Sequence, residues 1–84
     1  MITVGFQLVS IDAVDYKGLG RDGIGEIPLK DNGTLADAMT MIGMKPELGF
    51  MTLVNGDPVA PENRTSKSLK NGDQVVVFPP IEGG

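Results

Sequence analysis

The sequence predicts an α+β fold, in which one short helix packs against one mixed sheet of about five strands. Three observations support this prediction. The chain has 84 residues with 40% apolar content, enough for one domain with a small core. A single segment shows helical spacing, whereas the other apolar segments alternate or run as short strands. The last of them is an unbroken apolar run, which favours the middle of a sheet.

The first strand is predicted over residues 2–9, "ITVGFQLV". Its apolar side chains recur with a period of two and share one face: Ile2, Val4, Phe6 and Leu8. Residues 10–23 form a long, polar, glycine-bearing connection. The second strand is "IGEIPLK", residues 24–30. Because Pro28 lacks an N–H, this strand is expected at a sheet edge.

The helix is predicted within residues 31–47, "DNGTLADAMTMIGMKPE". Thr34 is suited to the N-cap, with Asp37 three positions later. Gly43 fits the C-terminal stop and Pro46 prevents continuation, so the helix has about ten residues. The side chains expected to face the core are Leu35, Ala38, Met39 and Ile42. Four methionines near this segment are interpreted as core filling rather than a binding surface: Met39, Met41, Met44 and Met51.

The remaining strands follow the helix. Residues 50–60 contain a hairpin, because Asn55 and Gly56 are the residue pair that two-residue turns favour. A polar stretch with one apolar anchor, Leu69, leads to the last strand, "QVVVFPP" at residues 74–80. A central last strand pairs in parallel with the first. The order β, β, α, β, β, β is then that of a β-grasp, or ubiquitin-like, domain spanning residues 1–84.

Composition excludes several classes of function. The chain has no cysteine and no histidine, so thiol and imidazole chemistry are absent. Its net charge of −4 argues against nucleic-acid binding. No apolar run approaches the roughly 20 residues of a membrane span, and the start lacks a basic leader. A soluble cytoplasmic protein with no membrane partner is expected.

Other candidate sites have simpler interpretations. Gly18, Gly20 and Gly23 match the G-x-G-x-x-G pattern, but no helix follows them, so a mobile loop between two strands is predicted rather than a nucleotide site. Lys17 and Arg21 on this loop remain available to a partner. The carboxylates are scattered singly without metal-binding spacing, and the hydroxyl side chains have no nearby base in the sequence.

The tail, residues 79–84, is the most suggestive segment. Pro79 and Pro80 stiffen its exit from the last strand, and its six residues reach at most about 20 Å. Gly83 and Gly84 carry no Cβ, so a flexible Gly-Gly end could thread a narrow slot. A carboxylate presented in this way can attack the α-phosphorus of ATP. The mixed anhydride that results can then be intercepted by sulfur or by an amine.

The motifs "LVNGDPV" and "LKNGDQVVVFPPIEGG" resemble those of the small ubiquitin-like sulfur carriers, most strongly over residues 50–84. These include the MoaD-like small subunit of molybdopterin synthase and the ThiS-like carrier of thiamin biosynthesis. The resemblance implies a carrier rather than an enzyme. Gly84, preceded by Gly83, would be adenylated by an E1-like enzyme and converted to a thiocarboxylate. That enzyme uses ATP and magnesium, and the carrier itself binds no cofactor or metal.

The resemblance also implies partners and contact residues. The partners are the E1-like adenylating enzyme, a sulfur donor protein, and the large subunit of molybdopterin synthase or thiazole synthase. Phe78 matches the aromatic residue before the prolines and would be an exposed partner contact, with core packing as the alternative. Val76 shares its face by alternation, and Leu53 on a neighbouring strand completes an apolar patch. Pro80 and Ile81 extend this interface into the tail.

Several functions stay open at this level. The tail resembles that of the molybdopterin-type carriers, whereas the short helix resembles that of the thiamin-type carriers. On the tail, we favour a molybdenum- or tungsten-cofactor pathway, with a thiamin pathway as the alternative. A protein modifier conjugated to lysines through Gly84 would use the same tail. A plain interaction module would need no chemistry at Gly84.

Overall fold

A computed structural model describes residues 1–46 and 49–79 of the chain. The elements are β1 (Ile2–Leu8), β2 (Ile24–Leu29), α1 (Leu35–Met41), β3 (Met51–Val54), β4 (Asp57–Val59) and β5 (Gln74–Phe78). Short 3-10 turns, not predicted from the sequence, occur at Ala13–Asp15 and Pro61–Asn63. The order β, β, α, β, β, β is therefore confirmed.

The five strands form one sheet in the order β2-β1-β5-β3-β4. β5 is parallel to β1 and antiparallel to β3, which confirms the predicted central, parallel position. β2 is an edge strand, as Pro28 predicted, because its ring leaves no N–H to donate. The other edge is β4, which has three residues, and each edge strand contains a proline that limits further backbone pairing.

One face of the sheet, the inner face, packs on α1 and forms the core. The predicted inward face of β1 is confirmed, with Ile2 packed at its margin. The buried core side chains are Val4, Phe6, Leu8, Ala13, Ile27, Leu29, Leu35, Ala38, Met39, Ile42, Met44, Val54, Leu69, Val75 and Val77. Among the methionines, Met39 and Met44 fill the core as predicted. Met41 and Met51 are 50% and 41% exposed, so for them the prediction is wrong.

Helix α1 begins as its sequence predicts. The backbone N–H of Asp37 donates to Thr34 Oγ1 at 3.1 Å, and the Thr34 N–H donates to the Asp37 carboxylate at 2.9 Å. This capping box satisfies two N–H groups that the first turn would leave without partners. The hydrogen bond from the Thr34 N–H lowers the pKa of the Asp37 carboxyl. The helix has seven residues rather than ten, because Ile42 already forms the cap before Gly43 at φ +87°.

The β3–β4 hairpin turns at Asn55 and Gly56, whose φ angles of 51° and 86° are those that the turn requires. Asn55 also ties the turn to β5. Its Nδ2 donates to Asp73 Oδ1 at 3.0 Å, and its Oδ1 accepts from the Gln74 N–H at 2.9 Å. Asp73 accepts a further bond from the Lys70 N–H, which lowers the pKa of the Asp73 carboxyl.

A buried arginine is the feature that the sequence did not reveal. Arg64 is 0% exposed. Its Nη1 donates to the Pro46 carbonyl at 2.6 Å, its Nη2 donates to the Phe50 carbonyl, and its Nε donates to Thr52 Oγ1 at 3.3 Å. Burial lowers the pKa of its guanidinium. Arg64 thus joins the connection after α1 to the beginning of β3.

Candidate functional site

The opposite face of the sheet, the outer face, carries a cluster of apolar side chains. Leu53 lies opposite Val76, and Met51 lies opposite Phe78, on the adjacent strands β3 and β5. Their neighbours along each strand point into the core, so alternation directs these four away from α1. All four remain at least partly exposed. We call Met51, Leu53, Val76 and Phe78 the outer patch.

The outer patch contains the three contact residues that the sequence singled out on strands: Leu53, Val76 and Phe78. Phe78 lies on the outer face rather than in the core, which was the alternative for it. Met51 was missed as a surface residue, because it was grouped with the core methionines. Its register opposite Phe78, which depends on the length of the hairpin, is the signal that could have found it.

The outer patch ends where the tail begins. Phe78 is the last residue of β5 and the half-buried Pro79 follows it. The other predicted tail residues lie outside the described residues: Pro80, Ile81, Gly83 and Gly84. β5 is hydrogen-bonded to β1 on one side and to β3 on the other. The base of the tail is therefore fixed in position beside a partly exposed apolar surface.

A concavity adjoins the outer patch on the same face. It has a volume of about 700 Å³, and Gly5 of β1 forms part of its lining. The side chain of Gln74 lies over Gly5, in the space that a Cβ there would occupy. Gln7, Ile24 and Glu26 line the concavity towards β2, and Gln7 is also the register neighbour of Val76. We call it the Gly5 concavity.

The glycine-rich segment is a loop between two strands, as predicted. The Gly20 N–H donates to the Ile24 carbonyl at 2.9 Å, and the Leu8 N–H donates to the Gly23 carbonyl at 2.9 Å. A Cβ on Gly25 would clash with the Gly18 carbonyl. Residue 25 of the strand must therefore lack a side chain for the loop to pack against it. The glycine spacing thus allows the loop to pack on the edge of β2, with Lys17 and Arg21 exposed.

The described residues form neither a metal-binding cluster nor a membrane-spanning helix. Residues 1–46 and 49–79 contain no group of three or more histidine, cysteine, aspartate or glutamate side chains arranged to hold a metal ion. In the same part of the chain, no helix has both the length and the apolar character needed to cross a membrane.

Comparison with known proteins connects this geometry to a family. The model of the ThiS family matches residues 14–84. Among solved structures, SAMP1 from Haloferax volcanii has a TM-score of 0.66 at 21% identity, over 98% of this chain and 99% of that one. A second structure, of small archaeal modifier protein 1 from H. volcanii, has a TM-score of 0.69 at 19% identity, over 96% and 100%. No curated protein sequence matches the chain. The structural likeness establishes a β-grasp, ubiquitin-like fold.

Proposed function

Because the chain belongs to the ThiS family, we propose that it is a sulfur carrier whose reactive group is the carboxyl of Gly84. An E1-like enzyme adenylates this carboxyl, and a thiocarboxylate formed there donates sulfur in the biosynthesis of molybdopterin. The observation that carries the proposal is the position of the tail's base. Pro79 directly follows a central strand, and the partly exposed outer patch lies beside it.

The chemistry proceeds in two steps. A carboxylate oxygen of Gly84 attacks the α-phosphorus of ATP, and the bond from that phosphorus to pyrophosphate breaks. A hydrosulfide anion, delivered by a sulfur donor protein, then attacks the carbonyl carbon and AMP leaves with the bonding electrons. ATP and magnesium belong to the activating enzyme. The chain contributes a substrate carboxyl and the surface that positions it, so it acts as a carrier rather than a catalyst.

The outer patch is proposed as the docking surface for the activating enzyme. Leu53, Val76 and Phe78 form an apolar centre of the kind that interfaces bury. Docking through these side chains fixes the direction in which the tail leaves β5. Pro80 and Ile81 then lead Gly83 and Gly84 into the enzyme's active site. In molybdopterin synthesis, the same tail would enter the large subunit of the synthase.

The test is intact-mass measurement of the protein incubated with the E1-like adenylating enzyme of its own cell and ATP-magnesium. We expect a species with the mass of the adenylated chain. After addition of a sulfide source, the product should be heavier than the unmodified chain by the mass difference between sulfur and oxygen. A variant lacking Gly83 and Gly84 is the matched control and should gain neither mass. The proposal is wrong if the full chain stays unmodified while the enzyme adenylates another carrier.

Two other functions use the same activated carboxyl. A protein modifier is favoured by the name of the structural neighbour, small archaeal modifier protein 1. Covalent adducts that persist on a denaturing gel and depend on Gly84 would identify it. As an alternative to molybdopterin biosynthesis, the carrier donates its sulfur in thiamin biosynthesis, through thiazole synthase. Complementation of strains lacking either the molybdopterin or the thiamin carrier distinguishes these two pathways.

A further inference from the structure

The strands of the sheet carry acidic side chains but no basic ones. In β1 to β5 the charged residues are Glu26 on β2 and Asp57 on β4. All seven lysines and arginines of the sequence lie in the connections between elements. The two carboxylates also lie on opposite faces of the sheet. Glu26 lies opposite Gly5 and lines the Gly5 concavity, whereas Asp57 lies opposite the buried Val54 and is on the other face.

The Gly5 concavity has the volume and the polar groups to accept a cationic side chain. The Glu26 carboxylate is exposed and makes no hydrogen bond or ion pair with another described residue. The amide oxygens of Gln7 and Gln74 can accept further hydrogen bonds from the same ligand. Ile24, which is 50% exposed, gives an apolar wall along which an aliphatic stem can lie.

The concavity and the outer patch lie within one docking surface. Ile24, Gln7, Val76 and Leu53 occupy one row across four adjacent strands. β2 and β5 are separated only by β1, so the two strands are roughly 10 Å apart. An interface of ordinary size, about 800 Å² on each partner, covers that separation. A protein docked on the outer patch therefore also covers Glu26.

We propose that the activating enzyme inserts an arginine side chain into the Gly5 concavity, where its guanidinium pairs with the Glu26 carboxylate. This inference rests on the proposed function and specifies the partner's surface, which is apolar at its centre and basic beside it. Arginine is suited to the site because its planar group has five N–H donors for one carboxylate and neighbouring amide oxygens. The pair selects enzymes that carry this arginine and excludes those with an acidic residue there.

The experiment measures the dissociation constant for the adenylating enzyme of the same cell, at low and at high salt. Glu26→Gln should weaken binding about tenfold, and Glu26→Lys about a hundredfold, with the larger losses at low salt. Asp57→Asn is the matched control. It removes the same charge from the opposite face and should change the dissociation constant less than about twofold. At saturating carrier, Asp57→Asn should leave the rate of adenylation unchanged, because it lies on the opposite face and Gly84 is intact.

The possible results separate the two proposals. Unchanged binding of Glu26→Gln, with normal adenylation of the unaltered chain, overturns the arginine pocket and leaves the proposed function standing. Equal losses for Glu26→Gln and Asp57→Asn also overturn it, because a general charge effect would then explain both. If the unaltered chain neither binds the enzyme nor is adenylated, the proposed function fails and the inference fails with it. Thermal unfolding of each variant controls for misfolding, and Glu26→Gln retains the shape of the site if Glu26→Lys fails to fold.

Discussion

The two faces of β5 are built from similar residues and differ in what covers them. Val75 and Val77 are 1% and 0% exposed beneath α1, whereas Val76 and Phe78 on the other face remain partly exposed. The four residues are consecutive and all apolar. The difference teaches that hydrophobicity alone does not assign a side chain to the core. The position of the helix decides which alternate residues stabilise the fold and which are left for a partner.

The largest expected effect is on the inner face. Phe6 is 1% exposed in the core, and Phe6→Ala should lower the free energy of unfolding by about 3–5 kcal/mol. The loss combines apolar surface removed from the core with the cavity left behind. Urea unfolding measures it. A loss below about 1 kcal/mol would mean that the inner face is loosely packed, and the contrast between the faces would disappear.

The second effect concerns Arg64, the buried cation that joins the connection after α1 to the beginning of β3. Arg64→Met should cost about 2–4 kcal/mol, because two carbonyls and the Thr52 hydroxyl lose a charged donor. Lys67→Met is the control, since the Lys67 side chain is exposed, and should stay within about 0.5 kcal/mol. Equal unfolding free energies for the two variants would contradict the structural role of Arg64.

The third effect tests the outer face with the same substitution as the first. Phe78→Ala should cost roughly 1–2 kcal/mol in stability, less than Phe6→Ala, because Phe78 is only partly buried. The affinity of the Phe78→Ala variant for the activating enzyme should fall about thirtyfold, as expected for loss of a central aromatic contact. Unfolding and binding are measured on the same preparations. A greater loss of stability than Phe6→Ala shows would reverse the assignment of the faces.

The smallest effect involves neither face but two carboxylates, of which Asp37 caps α1 and Asp73 holds the turn before β5. The folded-state pKa values of Asp37 and Asp73 lie below the ordinary value of 3.8. Their stabilisation is therefore complete above that pH and is lost as the pH falls through the folded values. Asp73→Asn should flatten the fall in unfolding free energy below pH 4. An unchanged acid dependence in this variant would show that other groups cause the fall.

Local sequence patterns predicted most of the fold because its elements carry their own signals. Thr34 and Asp37 mark the start of the helix, Asn55 and Gly56 mark the hairpin, and the apolar run marks the central strand. The face of Phe78 was not predictable, because an unbroken apolar run has no alternation to read. It depends on the packing of α1, which is distant in the sequence.

The burial of Arg64 was hidden for a related reason. Its acceptors come from Pro46, Phe50 and Thr52, residues that only the folded chain brings together. Residues 61–73 read as an ordinary polar connection. The helix was predicted too long because Ile42 has helical spacing but forms the cap. The Gly5 concavity was missed because a glycine inside a strand indicates only an interruption, until its neighbours across the sheet are known.

The paired position of β5 has a mechanical consequence. A force applied to the chain beyond Pro79 acts along the axis of β5. It therefore loads the hydrogen bonds to β1 and β3 together, in shear, rather than opening them one after another. An enzyme can draw the tail taut within its active site without unravelling the strand that bears it.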